Sequence, residues 1–537
     1  MCDSSRYNQS VLKRALAFVL LVLYSFSLSG QASSVAGRTL VVIPFENASP
    51  TPGLEWLGEA FPEGFRQQLN SPVVYVASRD ERLRAYDRLG IPAGLHLSRA
   101  TLYRLAEQMD VDYAVLGSYG YDGAHLTATA QLLDMRALKL LPSATESGSI
   151  TDLGNLQAAL AWDTLRQVRG DFSLPKDKFV ASIPPVRLDA FENYVRGLLA
   201  GTAEEKIQRY KEATRLIPTY TEAWLELGKV ELNQRSYEQA IAALEQVLSS
   251  SPVAREANFY LGLAAYYHGD FAKSESAFAF VAARLPLAEV YNNLGAVNVR
   301  RGHKDATIYF QRAIENDPSD PDYHFNLGLA LTRSGDNAAA VHELRATLER
   351  HPGDAEAKAL FDSLASPTAG VVPAASVTAK PIERIKRNYE ENSFRQMTMQ
   401  MQSWAEQRFA RSDARSHARF HVELGKELLA HGFTEEAERE FREAATLDPA
   451  SPAPLTGLAE VFDARGDARE ARSQAEAALR LRESADAYLV LARLDLRENR
   501  TEGAAQNVNR AMQLEPGNIA AQDLKRAVAA KLAEKAP

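Results

Sequence analysis

Two histidines one helical turn apart, His417 and His421, have the spacing in this sequence that best suits a metal ion. Side chains at i and i+4 share a helix face, and zinc or copper could use such a pair together with further ligands. His431 is the nearest additional histidine, and no Asp or Glu between the pair offers a general base. Packing or solvated histidines explain the pair more simply, so no metal is expected. Gly117-Ser118-Tyr119-Gly120-Tyr121-Asp122-Gly123 is glycine-rich, but it sits in a hairpin rather than ahead of a helix and reads as a turn. The sequence carries no phosphate loop, dinucleotide glycine fingerprint, nucleophile elbow or zinc-protease helix. Cys2 is the only cysteine, which leaves no disulfide framework and no cysteine-ligated metal site. The expectation is a chain with no catalytic residue, no metal and no cofactor.

Carboxylates are abundant, yet their distribution argues against an acid–base pair. Glu222, Glu256, Glu289 and Asp322 recur at about the same interval. Each falls near the start of an expected helix, where a negative side chain suits the helix dipole. A second reading is a negative rim that attracts a basic partner.

That recurrence belongs to a larger repeat. Pro218, Pro252, Pro286, Pro318 and Pro352 are spaced 34, 34, 32 and 34 residues apart, and Gly228, Gly262, Gly295 and Gly328 keep the same step. Each glycine follows a leucine, and Ala240, Ser274, Ala306 and Ala340 come eleven or twelve residues later. The pattern predicts paired helices: a small glycine in the first lets the second approach, and the small residue fills the matching tight spot. Leu244 and Val247, Phe278 and Val281, Phe310 and Ala313, and Leu344 and Thr347 then give the second helix a buried face. Proline ends it.

On Trp224, Leu227, Gly228, Ala240, Leu244 and Pro252 the chain resembles the tetratricopeptide family, with Glu231 standing where that family often has an aromatic residue. A first array is expected over 188–365 and a linker over 366–380, rich in Ala, Pro, Val and Ser. A polar helical connector with Met397, Met399 and Met401 is expected over 381–416. A second array follows over 417–537, keyed by Gly425, Ala437, Phe441, Ala459, Ala471, Ala504 and Val508, with a terminal capping helix.

Residues 39–170 lack the repeat and read as a small α/β domain. Apolar runs at Thr39–Phe45, Val73–Ala77, Tyr113–Tyr119 and Leu126–Leu133 suggest strands, the last two joined through Asp122-Gly123. Val41-Val42-Ile43-Pro44-Phe45-Glu46-Asn47, Glu55-Trp56-Leu57-Gly58-Glu59-Ala60 and Ala106–Tyr113 resemble TolB amino-terminal-like domains. That resemblance implies a non-enzymatic module, often fused to tetratricopeptide arrays in envelope proteins. The fold class expected is multi-domain: this small α/β domain followed by all-α helical-hairpin solenoid arrays.

The 537 residues are 46% hydrophobic and 24% charged, with a formal net charge of −8 and no basic stripe, which disfavours nucleic acid as a partner. Arg6, Lys13 and Arg14 precede an apolar stretch from Ala15 to about Leu28, followed by small residues around Ala32. Residues 1–32 therefore read as a signal peptide, or as an anchor if uncleaved, the sole expected membrane contact. The expected location is periplasm or cell envelope. Stacked hairpins curve so that first-helix side chains line a concave face. Leu225, Lys229, Phe259, Leu263, Tyr266, Asn292, Ala296, Phe325 and Leu329 occupy those positions and are the candidate groove for a protein or peptide partner. The competing explanation is that they pack against the neighbouring domain. Of the basic and Asn residues a clamp for a terminal carboxylate uses, only Lys229 and Asn293 are present, which disfavours that mode. The alternative function is a ligand-sensing or regulatory subunit acting on a separate catalytic chain.

Overall fold

The computed structural model describes residues 37–534 apart from 50, 72–73, 93–96, 171, 304–305, 366–381, 396–412 and 431. The described residues form two compact units, one of 37–270 and 389–395, the other of 271–388 and 413–534. The expected signal peptide, linker and methionines 397, 399 and 401 lie outside the described residues.

The first unit opens with a mixed sheet of β1 (Arg38–Val42), β2 (Glu46–Asn47), β3 (Val74–Val76), β4 (Tyr113–Tyr121), β5 (Leu126–Asp134), β6 (Lys139–Leu140) and β7 (Ala144–Gly148). Its order is β3-β1-β4-β5-β6, with β2 on β4 and β7 on β5. β1 pairs parallel with β3 and β4, whereas β4 and β5 form the antiparallel hairpin expected at Asp122-Gly123, where Gly123 takes φ +99. Pro44 divides the expected first strand, so pairing resumes only at Glu46.

Strand periodicity explains the layers. Leu40 and Val42 enter one apolar cluster with helices α1 (Leu57–Leu69) and α4 (Leu153–Val168). Val41 and Ile43, facing the other way, enter a second cluster with α2 (Arg79–Leu89) and α3 (Arg99–Gln108). The unbroken apolar run Leu40–Ile43 is what burial on both faces requires. Short helix α5 (Lys176–Ser182) follows, and then the hairpins begin with α6 (Leu188–Leu199), α7 (Ala203–Leu216), α8 (Thr221–Asn233), α9 (Tyr237–Leu244) and α10 (Ala254–His268).

Nothing in this unit separates sheet domain from hairpins. Phe191, Tyr194, Tyr210 and Leu227 belong to the same apolar cluster as Leu40 and Phe61. Trp56 meets Phe191 edge-on at 6.4 Å, and Tyr194 donates to the buried Glu63 carboxylate at 3.0 Å.

In the second unit the hairpins are α11 (Phe271–Ala282), α12 (Ala288–Arg301) with α13 (Ala306–Asn316), α14 (Pro321–Ser334) with α15 (Asn337–Arg350), and α16 (Ala355–Ala365). The later array is α17 (Ala414–Ala430) with α18 (Thr434–Leu447), α19 (Ala453–Arg465) with α20 (Ala468–Leu481), α21 (Ala485–Arg497) with α22 (Thr501–Leu514), and α23 (Ile519–Glu534). Thr434 donates to the Ala283 carbonyl at 3.3 Å, which ties the later array to the earlier hairpins of this unit.

The repeat glycines do the work their spacing implies. A Cβ on Gly228 would lie 2.4 Å from Leu244, one on Gly295 2.6 Å from Phe310, and one on Gly425 2.8 Å from Phe441. The partner is the second-helix residue expected in each case, and Ala240, Ala306, Ala340, Ala437, Ala471 and Ala504 are all buried. A related register holds the turn: Trp224 Nε1 donates to the Pro218 carbonyl at 2.8 Å, and His324 Nε2 lies 3.3 Å from that of Pro318.

These contacts set opposing effects against each other at Gly295. Alanine would gain about 1 kcal/mol of helix propensity, but its methyl would overlap the buried Phe310 ring, and overpacking costs about 1–3 kcal/mol. Overlap should win. Gly295→Ala is expected to lower the melting temperature, whereas Gly154→Ala, with nothing within 4 Å of its Cβ, should leave it unchanged or raise it. Equal shifts in thermal melts of the two variants would contradict this packing.

Candidate partner-binding groove

The site in the second unit is built by three asparagines on two first helices of successive hairpins. Asn292 and Asn293 stand on α12 and Asn326 on α14, all fully buried. Buried amides need partners, and these find them in residues 382–388 of the same unit. Asn292 and Asn326 both donate to the Arg384 carbonyl, at 2.8 and 2.9 Å, and the Arg384 N–H donates back to Asn326 Oδ1 at 2.8 Å. Two residues on, Asn293 donates to the Lys386 carbonyl at 2.8 Å and accepts from the Lys386 N–H at 2.9 Å. Asn326 also donates to Asn292 Oδ1 at 2.7 Å, which fixes the two amides relative to each other.

Residues 382–390 are therefore not the helical connector expected over 381–416. They carry no helix or strand, and 391–395 form a helical turn. The reason is hydrogen-bond competition: the Arg384 and Lys386 backbone groups are taken by amide side chains, so they cannot close helical i→i−4 bonds.

Side chains of the segment fall into charged pockets. The Arg384 guanidinium lies 3.6 Å over the Phe325 ring and pairs with Asp322 at 3.0 Å, Asp354 at 2.6 Å and Glu356 at 3.2 Å. Lys386 Nζ is 2.7 Å from Asp320 and 2.6 Å from Asp322, and lies 5.2 Å over the Tyr323 ring. Glu383, its side chain only 1% exposed, meets Arg300 at 3.1 Å and also Arg333. Such burial of a carboxylate is tolerable because it is paired twice.

The pockets tune their own acids and bases. Burial pushes the Asp322 carboxyl up, but hydrogen bonds and charges from Lys386 and Arg384 outweigh it and hold the group below its ordinary value. Asp354 behaves alike, lowered by Arg384 and the Ala357 N–H against burial. Burial would lower the Lys386 ammonium, yet Asp320 and Asp322 raise it above the usual lysine value.

In the first unit, residues 389–395 make a different set of contacts. The Tyr389 ring is 5.0 Å from that of Phe259, and its hydroxyl donates to Glu391 at 2.6 Å. Glu391 accepts from Arg255 Nε at 3.0 Å. Asn392 donates to Glu81 at 3.3 Å and Arg395 to the Ser71 carbonyl at 3.0 Å.

Of the residues expected to line a groove, Asn292 and Phe325 touch 382–388, and Phe259 touches Tyr389. Leu225, Leu263, Ala296 and Leu329 are buried, and Leu329 packs in an apolar cluster with Phe325, Leu344 and Ala357, so it serves the hairpin core. Tyr266 is half-buried and meets Tyr267 edge-on. Lys229 is committed to Glu226 at 2.7 Å and Glu256 at 3.2 Å, under the Tyr260 ring, with Asp80 of the sheet domain at 3.9 Å. Those acids occupy its ammonium, which agrees with disfavouring a carboxylate clamp and with packing toward the neighbouring domain. Asn293 grips an internal amide, not a chain terminus. Glu231, placed where the tetratricopeptide pattern often has an aromatic residue, is buried with Lys211 at 3.6 Å.

Asn326, Asp320, Asp354, Arg300 and Arg333 were missed by sequence reasoning, although Asn326 precedes Gly328 by the same two residues that separate Asn293 from Gly295. Of the recurrent acids, Asp322 meets Arg384 and Lys386 of the same chain. His421 Nδ1 lies 2.6 Å from the buried Glu440 carboxylate. Among the described residues no group of three or more His, Cys, Asp or Glu is placed to hold a metal ion.

The attachment of 382–388 should depend on pH with a definite sign. Lowered aspartates contribute fully above their free value near 3.8 and lose that contribution as pH falls through the lowered values. Raised Lys386 contributes fully below its free value of 10.5 and loses it as pH rises past the raised one. Hydrogen-exchange protection factors at the Arg384 and Lys386 amides should stay constant around neutrality and fall at both extremes. Loss of protection already near about pH 6 would exclude these carboxylates as the anchor.

Comparison with known proteins agrees with the repeat geometry. A family model described as tetratricopeptide repeat matches residues 225–285, 262–321 and 299–355. BBSome complex member BBS4 of Bos taurus is 29% identical over 196 residues, which cover 36% of this chain and 36% of that protein, so the chain spans about a third of the length of the curated relative it matches. Among solved structures, MamA is 24% identical, covering 29% of this chain and 94% of its own, with a TM-score of 0.28. MamA 41-end from Desulfovibrio magneticus RS-1 is 20% identical over 32% of this chain and 99% of its own, at 0.30. YrrB, described as a TPR protein with an unusual peptide-binding site, is 15% identical over 46% of this chain and 95% of its own, at 0.25. Residues 225–355, with the asparagine groove inside them, are tetratricopeptide repeats.

Proposed function

We propose that this protein is a non-catalytic, exported scaffold of the bacterial cell envelope that holds a segment of another protein against Asn292, Asn293 and Asn326. The single observation that carries the groove reading is the set of five amide–backbone hydrogen bonds to residues two apart. Each such bond contributes a net ~0.5–1.5 kcal/mol, and together they grip any backbone presented with that period. Export is supported by the Arg6, Lys13 and Arg14 cluster and the apolar stretch behind it. Membership of the TolB amino-terminal-like group is part of the same proposal; it rests on the motifs at 41–47, 55–60 and 106–113, and a small mixed sheet is compatible with it.

The groove is tested with a fluorescent synthetic peptide copying residues 380–391, added to the full chain carrying Arg384→Glu and Lys386→Glu. Those changes set acids against Asp320, Asp322 and Asp354 and should free the site. Saturable binding is expected, weakened at least tenfold by adding Asn293→Ala and Asn326→Ala. Binding indifferent to the asparagines would dispose of the groove. Export is tested separately: in a bacterial host the full chain should fractionate with the envelope, and deletion of residues 1–32 should retain it in the cytoplasm. Equal partitioning of the two forms would remove the export reading.

A further inference from the structure

The later array repeats the first-helix register of the earlier hairpins but leaves its inward positions open. One residue after the repeat glycine, or after the alanine in its place, stand Lys229, Leu263, Ala296 and Leu329 in the earlier hairpins and Lys426, Glu460 and Arg493 in the later ones. Leu263, Ala296 and Leu329 are buried, and Lys229 is held by Glu226 and Glu256. The Lys426 side chain, by contrast, is 47% exposed and that of Arg493 39%, while Glu460 is half-buried on the helix between theirs. α17, α19 and α21, which carry the three, pack in succession. The face therefore reads base, acid, base from hairpin to hairpin.

The acid differs from its two neighbours in what it meets. Lys426 Nζ lies 3.6 Å from Glu423, and Arg493 Nε lies 3.0 Å from Asp463, which Arg497 also meets. Glu460 has no hydrogen bond and no ion pair among the described residues. The charges it feels come from Arg493 and Asp486 on α21, Lys426 on α17 and Asp463 on its own helix. Burial, helped by Asp486 and Asp463, pushes its carboxyl up to about 7 against the opposing effect of Arg493 and Lys426. A carboxylate shielded from water without a partner is disfavoured as an anion, and a cation arriving beside it restores the charged form.

We propose that the later array holds a second docking surface, in which Glu460 takes the Lys or Arg side chain of an extended protein segment while Lys426 and Arg493 face acids on either side of that base. Packed helices stand about 8–10 Å apart and an extended chain advances about 3.3 Å per residue, so the segment reads acid-x-x-base-x-x-acid. Complementary sign at each position sets the register and rejects segments of the reverse pattern. Because the pairing needs the ionised carboxylate, docking strengthens as pH rises through neutrality and fades below it. This surface shares no residue with the asparagine groove, so loss of either leaves the other in place.

The probe is a rhodamine-labelled peptide, Asp-Ala-Ala-Arg-Ala-Ala-Asp, titrated into the full chain and followed by fluorescence polarisation. Saturable binding is expected at pH 8, about tenfold weaker at pH 6 and about tenfold weaker at pH 8 when the peptide's Arg is replaced by Gln. Glu460→Gln should bring affinity at pH 8 down to the pH 6 level and remove the pH dependence, whereas Asn293→Ala with Asn326→Ala should change neither. No saturable binding at pH 8, binding indifferent to the peptide's Arg, or a pH dependence that survives Glu460→Gln would overturn the docking surface. Loss of binding in the asparagine variant would place the peptide in the other groove and overturn it as well. Should Glu460→Gln fail to fold, the unaltered chain decides: the peptide's own charges do not change between pH 6 and pH 8, so affinity that is flat across that range would refute the pairing. Self-association that strengthens from pH 6 to pH 8 and disappears in Glu460→Gln would assign the surface to a second copy and overturn the foreign partner.

Discussion

Close approach of paired helices over a missing side chain is the constraint on which the hairpins depend. At Gly228, Gly295, Gly328 and Gly425 the second helix delivers Leu244, Phe310, Leu344 or Phe441 into the space a Cβ would fill. Phe441 goes further, lying against Gly457 of the next hairpin as well as Gly425 of its own. Glycine weakens a helix by about 1 kcal/mol relative to alanine, and that local loss is offset by burial of a large side chain on close-packed backbone. Once the spacing within a hairpin is set this way, the first-helix residue two before the glycine stands across the helix from its partner and the residue three before stands on the flank. Asn292, Asn293 and Asn326 occupy those places, so the groove inherits its geometry from the packing beneath it.

Much of this was legible in the residues. Period-34 proline and glycine located the hairpins, and the alternation of Leu40, Val41, Val42 and Ile43 located a strand buried on both faces. The turn at Gly123 fell where turn chemistry put it. What was not legible is instructive. Residues 382–390 have the polar, strongly charged composition of an exposed helix, and nothing local forbids one. Their conformation is decided by partners about sixty to ninety positions away, Asn326, Asn293 and Asn292, and tertiary hydrogen bonds override propensity there. β2 and β7 were missed for a related reason: Glu46–Asn47 and Ala144–Gly148 are edge segments with exposed polar side chains, ordered by a neighbour rather than by an apolar stripe.

Groove-lining positions were read correctly as first-helix positions but not sorted by neighbour. Lys229 looked available because charge on a concave face usually meets solvent or a guest. In the first unit it instead meets Glu226 and Glu256; burial would lower its ammonium, but the charges of those acids outweigh that and raise it well above the ordinary lysine value. Leu225 and Leu263 vanish into the interior of that unit, whereas at Phe325 an aromatic face remains open enough to carry a guanidinium. Similar register positions thus do different work, according to what packs above them.

The division of labour between amides and pockets has an evolutionary corollary. A grip that reads only peptide groups is blind to sequence, so its asparagines can persist while Asp320, Asp322, Asp354, Arg300 and Arg333 drift around them. Those acids and bases lie outside the glycine-filled seams, although Asp320 and Asp354 also hold helix starts by accepting from the Asp322 and Ala357 N–H groups. Retargeting such a surface to a new client is then a matter of swapping a few rim charges, with Asp320 and Asp354 giving way only to residues that still cap their helices.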